Sequence, residues 1–126
     1  MTGINIMLVD KVKLILQNDA NVEFAYIFGS YADNTFTDRS DVDVAVYFKE
    51  YNFDIHLALS FKISQITTKD TDLVVLNKAK NLYLLEDIIQ KGILLKDDED
   101  KRIDFELLKH HQFIDFIEFK KRIYAA

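Results

Sequence analysis

Residues 29–43 read GSYADNTFTDRSDVD, and this stretch lies between two apolar runs, VEFAYIF directly before it and VAVYF directly after it. Apolar runs of this length and composition predict two strands. Gly29 and Ser30 follow the first strand, and Asp41 and Asp43 open the second. Because side chains alternate between the two faces of a strand, both aspartates are expected on the same face. The stretch therefore predicts two strands joined by a turn, with a pair of carboxylates beside it.

The residue types at this junction suit the binding of a metal and a phosphate. Two adjacent carboxylates repel each other unless a cation or hydrogen-bond donors compensate their charge. Mg²⁺ is typically held by one or two carboxylates together with substrate phosphates. Gly29 allows the backbone to approach a ligand closely, and Ser30 is expected to cap a short helix whose free N–H groups face a phosphate. Together with Asp41 and Asp43, these residues predict a site for a metal–nucleoside triphosphate complex.

The order of these residues also resembles a known motif. The pattern consists of Gly29-Ser30, a gap of ten residues and then Asp41-x-Asp43, with an apolar strand on each side. It is similar to the motif of the DNA polymerase beta-type nucleotidyltransferase superfamily, and in particular to that of the minimal nucleotidyltransferases. The chain differs from many members at residues 33–34, where Asp-Asn replaces Arg-Gly. The resemblance implies an α/β (α+β) fold, with a small mixed central sheet and flanking helices.

A third carboxylate on a neighbouring strand is also implied by this resemblance. Asp72, in the run DTDLVVLN, occupies the matching position. The competing interpretation of Asp72 is a strand-edge carboxylate that bonds to nearby backbone. On the family's pattern, Asp41, Asp43 and Asp72 are the catalytic and metal-binding residues of a two-metal Mg²⁺ site. Gly29 and Ser30 are then the residues that bind the triphosphate of ATP.

Length, charge and composition narrow the class of protein. A chain of 126 residues is long enough for one core but too short for a second substantial domain, so a single domain over residues 1–126 is expected. The net charge of −5 argues against general nucleic-acid binding, and no direct nucleic-acid partner is expected. The absence of cysteine excludes disulfides and thiolate zinc sites, and no run of about 18 apolar residues predicts a membrane span. These features favour a cytoplasmic protein.

Hydrophobic periodicity predicts most of the remaining elements. It predicts helices over residues 5–18, 81–91 and 101–124, and a short edge strand over residues 93–95. In the first helix, Leu8, Val12 and Ile15 form an apolar stripe that Met7 and Leu14 widen. Gly92 is expected at the C′ position that ends the second of these helices.

Residues 53–66 have an ambiguous pattern, because their apolar residues fit both the alternation of a strand and the stripe of a helix. Their length and their lack of strong β-branched enrichment favour a helix. The resemblance implies a helix as well.

The last predicted helix, over residues 101–124, is apolar on more than one face. One stripe comprises Ile103, Leu107, Ile114 and Ile117, and another comprises Phe105, Leu108, Phe113, Phe116 and Phe119. A helix on a small domain normally buries one face, so this width suggests a second protein partner. The alternative is that the helix packs across both its own sheet and the first helix.

A function follows from the resemblance, which extends over essentially the whole chain. Stand-alone minimal nucleotidyltransferases look like antitoxins paired with HEPN-domain toxins, which are helical RNases. The implied reaction transfers AMP from ATP to a tyrosine hydroxyl of the toxin and silences it, in a homo- or hetero-oligomer. Two other interpretations stay open: an antitoxin that acts by binding and occlusion, and a transferase that acts on a small molecule such as an aminoglycoside.

Overall fold

A computed structural model of the chain describes residues 3–125, with side chains described from residue 7 onward. In chain order the elements are α1 (Gly3–Gln17), β1 (Val22–Phe28), α2 (Ser30–Asp33), β2 (Val42–Phe48), α3 (Phe53–Thr67), β3 (Thr71–Val75), α4 (Leu82–Lys91), β4 (Ile93–Lys96) and α5 (Glu99–Ala125). No helix in this part of the chain is both long enough and apolar enough to cross a membrane.

The four strands form one mixed sheet in the order β3-β2-β1-β4. β1 is antiparallel to both β2 and β4, whereas β2 is parallel to β3. β1 and β2 are therefore the central strands, which explains their nearly continuous apolar sequences. β4 lies at an edge, as predicted. The predicted fold class, a small mixed sheet with flanking helices, is confirmed.

Helices cover both faces of the sheet. Val42, Val44 and Val46 point to one face, where they pack with residues of α1 and α3. Phe24 and Ala45 point to the other face, where they pack with residues of α4 and α5. Because side chains alternate along a strand, each residue of β2 can be assigned to one of these two layers.

The ambiguous segment is a helix, α3, as its length predicted. The Asn52 side chain caps it by accepting a hydrogen bond of 2.9 Å from the backbone N–H of Ile55. Leu59, Ile63 and Thr67 are its buried residues, and their spacing of four places them on one face. The strand-like alternation in this segment therefore has no structural counterpart.

The face of the first helix that contacts the core is narrower than predicted. Leu8, Val12 and Ile15 are buried, but Met7 and Leu14 are each 61% exposed. α1 packs against the layer formed by α3 and the sheet, so only one stripe is covered. The prediction that Met7 and Leu14 widen the buried stripe is wrong, because these two residues lie on the flank that faces away from the sheet.

Gly92 lies at the end of α4, as predicted, but its backbone is extended (φ −66°, ψ 154°) rather than left-handed. A Cβ at this position would approach the Ile88 carbonyl oxygen to 2.5 Å. A glycine is therefore required here by the close approach of the backbone to the last turn of the helix, not by a positive φ.

The last helix, α5, packs on α4 and β1. Its one buried residue, Phe105, belongs to the layer on the opposite face of the sheet from α1. The alternative in which α5 also covers α1 is therefore wrong, because the sheet separates the two helices. A wide apolar surface of α5 stays exposed, comprising Ile103, Leu107, Leu108, Ile114, Phe116, Phe119, Ile123 and Tyr124.

Candidate active site

The turn after β1 depends on Gly29. Its backbone has φ +69° and ψ −147°, which an L side chain rarely adopts. A Cβ at this position would also overlap the carboxylate of Asp43. Conformation and close contact thus both require a glycine, and the absence of a side chain allows the turn to lie directly against the carboxylate.

Ser30 is the first residue of the short helix α2, and the N-cap residue is Gly29, with no side-chain cap hydrogen bond. The prediction that Ser30 caps this helix is therefore wrong. The reason is the positive φ of Gly29, which makes Gly29 the last non-helical residue. α2 also turns Tyr31 inward, where its ring stacks on Phe36 with centroids 4.8 Å apart. The segment between the two strands is thus partly helical, and Tyr31 anchors it in the core.

Asp43 and Asp72 lie side by side in the sheet. Asp43 of β2 is the register partner of Asp72 of β3 and, on its other side, of Phe28 at the end of β1. Neighbouring strands are about 4.8 Å apart. By alternation with Ala45 and Val74, which pack on the α4 and α5 layer, both carboxylates point to that face. The structure therefore brings these two predicted residues together next to the Gly29 turn.

Asp41 is placed differently from the other two carboxylates. β2 begins at Val42, so Asp41 lies one residue outside the strand that was predicted to include it, and its side chain is exposed. Its position is set by the turn of residues 37–40 that precedes it, in which the Ser40 N–H donates to the Thr37 carbonyl over 3.1 Å. Asp41 thus approaches the site from a turn and not from the sheet.

The three carboxylates influence one another electrostatically. The pKa of Asp43 is raised from 3.8 to about 6, first by burial and then by the charges of Asp72 and Asp41. A partly buried carboxylate beside two others is destabilised in its ionised form. A cation among these three side chains would remove this penalty.

The donor set fits Mg²⁺, but the three side chains are not preassembled around an ion. Within residues 3–125, no group of three His, Cys, Asp or Glu side chains is arranged to hold a metal. Asp43 and Asp72 are neighbours by register, whereas Asp41 is exposed on a turn. Mg²⁺ is usually held by one or two carboxylates, and substrate phosphates complete its coordination. Two adjacent carboxylates with a third nearby are therefore enough protein ligands for Mg²⁺.

Lys69 is a residue near the site that the sequence did not reveal. It follows α3, and its Nζ donates a hydrogen bond of 2.6 Å to the Asp38 carbonyl in the turn before Asp41. The two residues are 31 positions apart in the chain. No local pattern marks such a contact, because neither residue belongs to a periodic segment.

Comparison with known proteins agrees with this site. The sequence profile of the family described as "Polymerase beta, Nucleotidyltransferase" matches residues 10–101, which include the Gly29 turn and all three carboxylates. Protein adenylyltransferase MntA of Shewanella oneidensis is 31% identical to the chain over 93 residues, covering 70% of this chain and 66% of that protein.

Solved structures with the same fold come from toxin–antitoxin complexes. A chain of a toxin–antitoxin crystal structure with AMP-PNP superimposes with a TM-score of 0.77 at 22% identity, covering 93% of this chain and 94% of that one. A chain of the tri-AMPylated Shewanella oneidensis HEPN toxin in complex with MNT antitoxin superimposes with a TM-score of 0.73 at 20% identity, covering 96% and 95%. At these identities the structures establish the fold alone. The fold, the glycine turn against paired carboxylates and the profile match together show that this chain belongs to the polymerase beta-type nucleotidyltransferase family.

Proposed function

We propose that this protein is an antitoxin that transfers AMP from ATP to a hydroxyl group, that of a tyrosine, on a HEPN RNase toxin, and so neutralises the toxin. The observation that carries the proposal is the register pairing of Asp43 with Asp72 directly beside the Gly29 turn. The relative MntA is named a protein adenylyltransferase, and a structure of the same fold contains an AMPylated HEPN toxin. We place the reaction in the cytoplasm, where ATP is abundant.

In the proposed reaction the tyrosine oxygen forms a bond to the α-phosphorus of ATP. The bond between that phosphorus and the oxygen bridging to the β-phosphate breaks, and pyrophosphate leaves. The hydroxyl proton passes to a carboxylate, for which we assign Asp72, because it lies at the exposed edge of the carboxylate pair. The product is AMP in phosphodiester linkage to the tyrosine.

Each side chain of the site has a distinct role in this proposal. Asp41, Asp43 and Asp72 would hold Mg²⁺ in a two-metal arrangement, which neutralises charge on the triphosphate and on the leaving pyrophosphate. Gly29 would let the backbone approach the phosphates, and Ser30, the first residue of α2, would contact them beside it. The raised pKa of Asp43 supports the assignment, because this carboxylate gains most from a nearby cation.

The exposed apolar surface of α5 is our candidate for the toxin-binding face. Residues such as Leu108 and Phe119 are 54% and 55% exposed on a helix that packs on one side only. Large exposed apolar surfaces on soluble proteins commonly mark interaction sites. A helix of a partner such as a HEPN toxin can pack along a helix of this length, with the side-chain ridges of one helix in the grooves of the other.

The test is a transfer assay with α-labelled ATP, Mg²⁺ and the product of the neighbouring gene, which we propose is a HEPN toxin. The wild-type protein is expected to label the toxin, with the label lost when the toxin tyrosines are replaced by phenylalanine. The double variant Asp41→Asn, Asp43→Asn and a sample treated with EDTA serve as matched controls. Both should give no label.

The same assay separates the competing functions. A toxin that is neutralised equally by the wild type and the double variant, without label, would establish an antitoxin that acts by occlusion. Label on an aminoglycoside in the absence of any protein acceptor would establish a small-molecule transferase. Either outcome contradicts the proposal.

A further inference from the structure

The 37–40 turn, which precedes Asp41, is held together by its own hydrogen bonds. The Ser40 N–H donates to the Thr37 carbonyl over 3.1 Å, and the Ser40 Oγ accepts from the Thr37 N–H over 2.8 Å. Asp41 follows at once and lies outside β2. These bonds join the two ends of the turn, and the conformation of the turn affects where the Asp41 side chain lies.

The other two carboxylates do not depend on this turn. Asp43 and Asp72 are held by strand pairing, each as the register partner of the other. Asp41 lies one residue before the first strand pair, Val42 with Thr71, so the sheet holds its backbone on one side only. On its other side, the backbone of Asp41 continues into the 37–40 turn.

Lys69 supplies such a connection. Its Nζ donates a hydrogen bond of 2.6 Å to the carbonyl oxygen of Asp38, inside the 37–40 turn. The backbone before Lys69 is itself well defined, because Thr68 adopts a left-handed conformation with φ 58° and the Lys69 N–H donates to the buried Thr67 Oγ1 over 3.3 Å. The Lys69 ammonium group thus contacts the turn while its own backbone is held at the end of α3.

The strand pairing near Lys69 does not depend on its side chain. The Val42 N–H donates to the Asp70 carbonyl over 2.8 Å, which joins the starts of β2 and β3 through the backbone alone. Removal of the Lys69 ammonium therefore leaves this bond and the register of Asp43 with Asp72 in place. The 37–40 turn, in contrast, loses its hydrogen bond from the Lys69 side chain.

We propose that Lys69 is a positioning residue that holds the 37–40 turn so that Asp41 reaches the ion shared with Asp43 and Asp72. This role rests on the proposed metal-dependent function. Asp38 precedes Asp41 by three residues, and Lys69 precedes Asp72 by three, so one hydrogen bond links the chain segments that carry both carboxylates. Residues that orient metal ligands in this way typically change metal affinity about tenfold or more when they are replaced.

The test compares Lys69→Met, which keeps the length of the side chain but removes the donor, with Lys69→Arg, which keeps a donor. Lys62→Met, at an exposed position of α3, is the matched control for loss of a lysine charge. Mn²⁺ is titrated into each protein and free Mn²⁺ is measured by electron paramagnetic resonance, which needs no catalytic turnover. We expect Mn²⁺ affinity to fall about tenfold in Lys69→Met, to be largely restored in Lys69→Arg and to be unchanged in Lys62→Met.

A second readout follows the turn itself in the metal-free protein. Amide hydrogen exchange at residues 38–41 should become faster in Lys69→Met, while exchange in β1 and β2 stays at the wild-type rate. Wild-type exchange and wild-type Mn²⁺ affinity in Lys69→Met would overturn the positioning role and leave the proposed function intact. A wild-type protein that binds no Mn²⁺, even with AMP-PNP present, would instead overturn the metal site on which this role rests.

Discussion

Asp43 of β2 and Asp72 of β3 are register partners in the parallel pair of strands, with the carboxylate of Asp43 also lying against Gly29. The sheet thus holds two like charges side by side in the metal-free protein. Such an arrangement costs stability, and it persists because the hydrogen bonds and apolar contacts of two strands overdetermine it. The first prediction below concerns the balance between this cost and the proposed activity.

Replacement of Asp43 by Asn should abolish AMP transfer and stabilise the metal-free protein. Burial and the neighbouring carboxylates raise the pKa of Asp43 to about 6 from 3.8. The native state then binds a proton more tightly than the unfolded state, so wild-type stability falls as pH rises from about 4 to 6 and stays reduced above that range. Asp43→Asn removes the penalty, and its free energy of unfolding at pH 7.5 should exceed that of the wild type by about 1 kcal/mol, after allowance for partial exposure.

Urea unfolding at pH 4.5 and pH 7.5 in the presence of EDTA measures this effect. The advantage of Asp43→Asn over the wild type should be smaller at pH 4.5 than at pH 7.5. Asp10→Asn, at an exposed position of α1, is the matched control and should show little change at either pH. An advantage that is equal at both pH values would contradict the proposed origin in ionisation.

Replacement of Gly29 by Ala should destabilise the protein and reduce transfer. The positive φ of Gly29 is unfavourable for alanine, and the new Cβ would overlap the Asp43 carboxylate. A strained backbone conformation of this kind costs about 1–3 kcal/mol. Urea unfolding should show this loss, whereas Ser30→Ala, one residue later, should change the unfolding free energy by less than about 0.5 kcal/mol. Equal stability of the two variants would contradict the structure of this turn.

A buried hydrogen bond should make Tyr26→Phe destabilising. The Tyr26 hydroxyl donates to Glu106 Oε1 over 2.7 Å and joins β1 to α5, and burial together with this carboxylate raises the pKa of Tyr26 above its usual range. Loss of a hydrogen bond to a charged group costs about 2 kcal/mol. Thermal or urea unfolding measures the loss.

Tyr83→Phe provides the control for Tyr26→Phe. Tyr83 is 47% exposed, and its hydroxyl accepts a hydrogen bond of 3.0 Å from Lys120 on the surface. Its replacement should cost less than about 0.5 kcal/mol. A larger effect at Tyr83 than at Tyr26 would mean that α5 is held to the domain mainly through its outer half.

Phe119→Asp should weaken binding of the proposed toxin partner without unfolding this protein. Phe119 is 55% exposed on α5, so its replacement leaves the core intact. If α5 is the toxin-binding face, an apolar contact replaced by a charge should reduce affinity at least about thirtyfold, or about 2 kcal/mol. Isothermal titration calorimetry with the HEPN toxin measures the change.

Phe61→Asp is the matched control for this surface. Phe61 is 66% exposed on α3, which covers the opposite face of the sheet from α5. It should bind toxin with wild-type affinity. Loss of binding in Phe61→Asp, with Phe119→Asp unaffected, would place the toxin on the α1 and α3 layer.

The local elements and the composition of the site were predictable from the sequence. Both central strands, the glycine turn between them and the aspartates beside it follow from patterns among residues close in the chain. The long last helix and the short edge strand were also predicted, to within a few residues. Such predictions succeed because backbone conformation and hydrophobic periodicity depend on near neighbours.

The errors also have local causes. Met7 and Leu14 are apolar and lie at helical spacing, so the sequence does not distinguish a buried flank from an exposed one. Ser30 has the chemistry of a cap, but the positive φ of Gly29 moves the cap position back by one residue. The direction in which α1 packs decided the first case, and the backbone conformation of Gly29 decided the second.

Local patterns were enough to identify a candidate nucleotide site, because Gly29, Ser30, Asp41 and Asp43 lie within one short stretch. The assembly of this site, in contrast, depends on contacts between segments that are distant in the chain. The pairing of Asp43 with Asp72 spans 29 positions, and the contact of Lys69 with Asp38 spans 31. Strand order and register depend on the packing of helices against both faces of the whole sheet, and no local pattern contains that information.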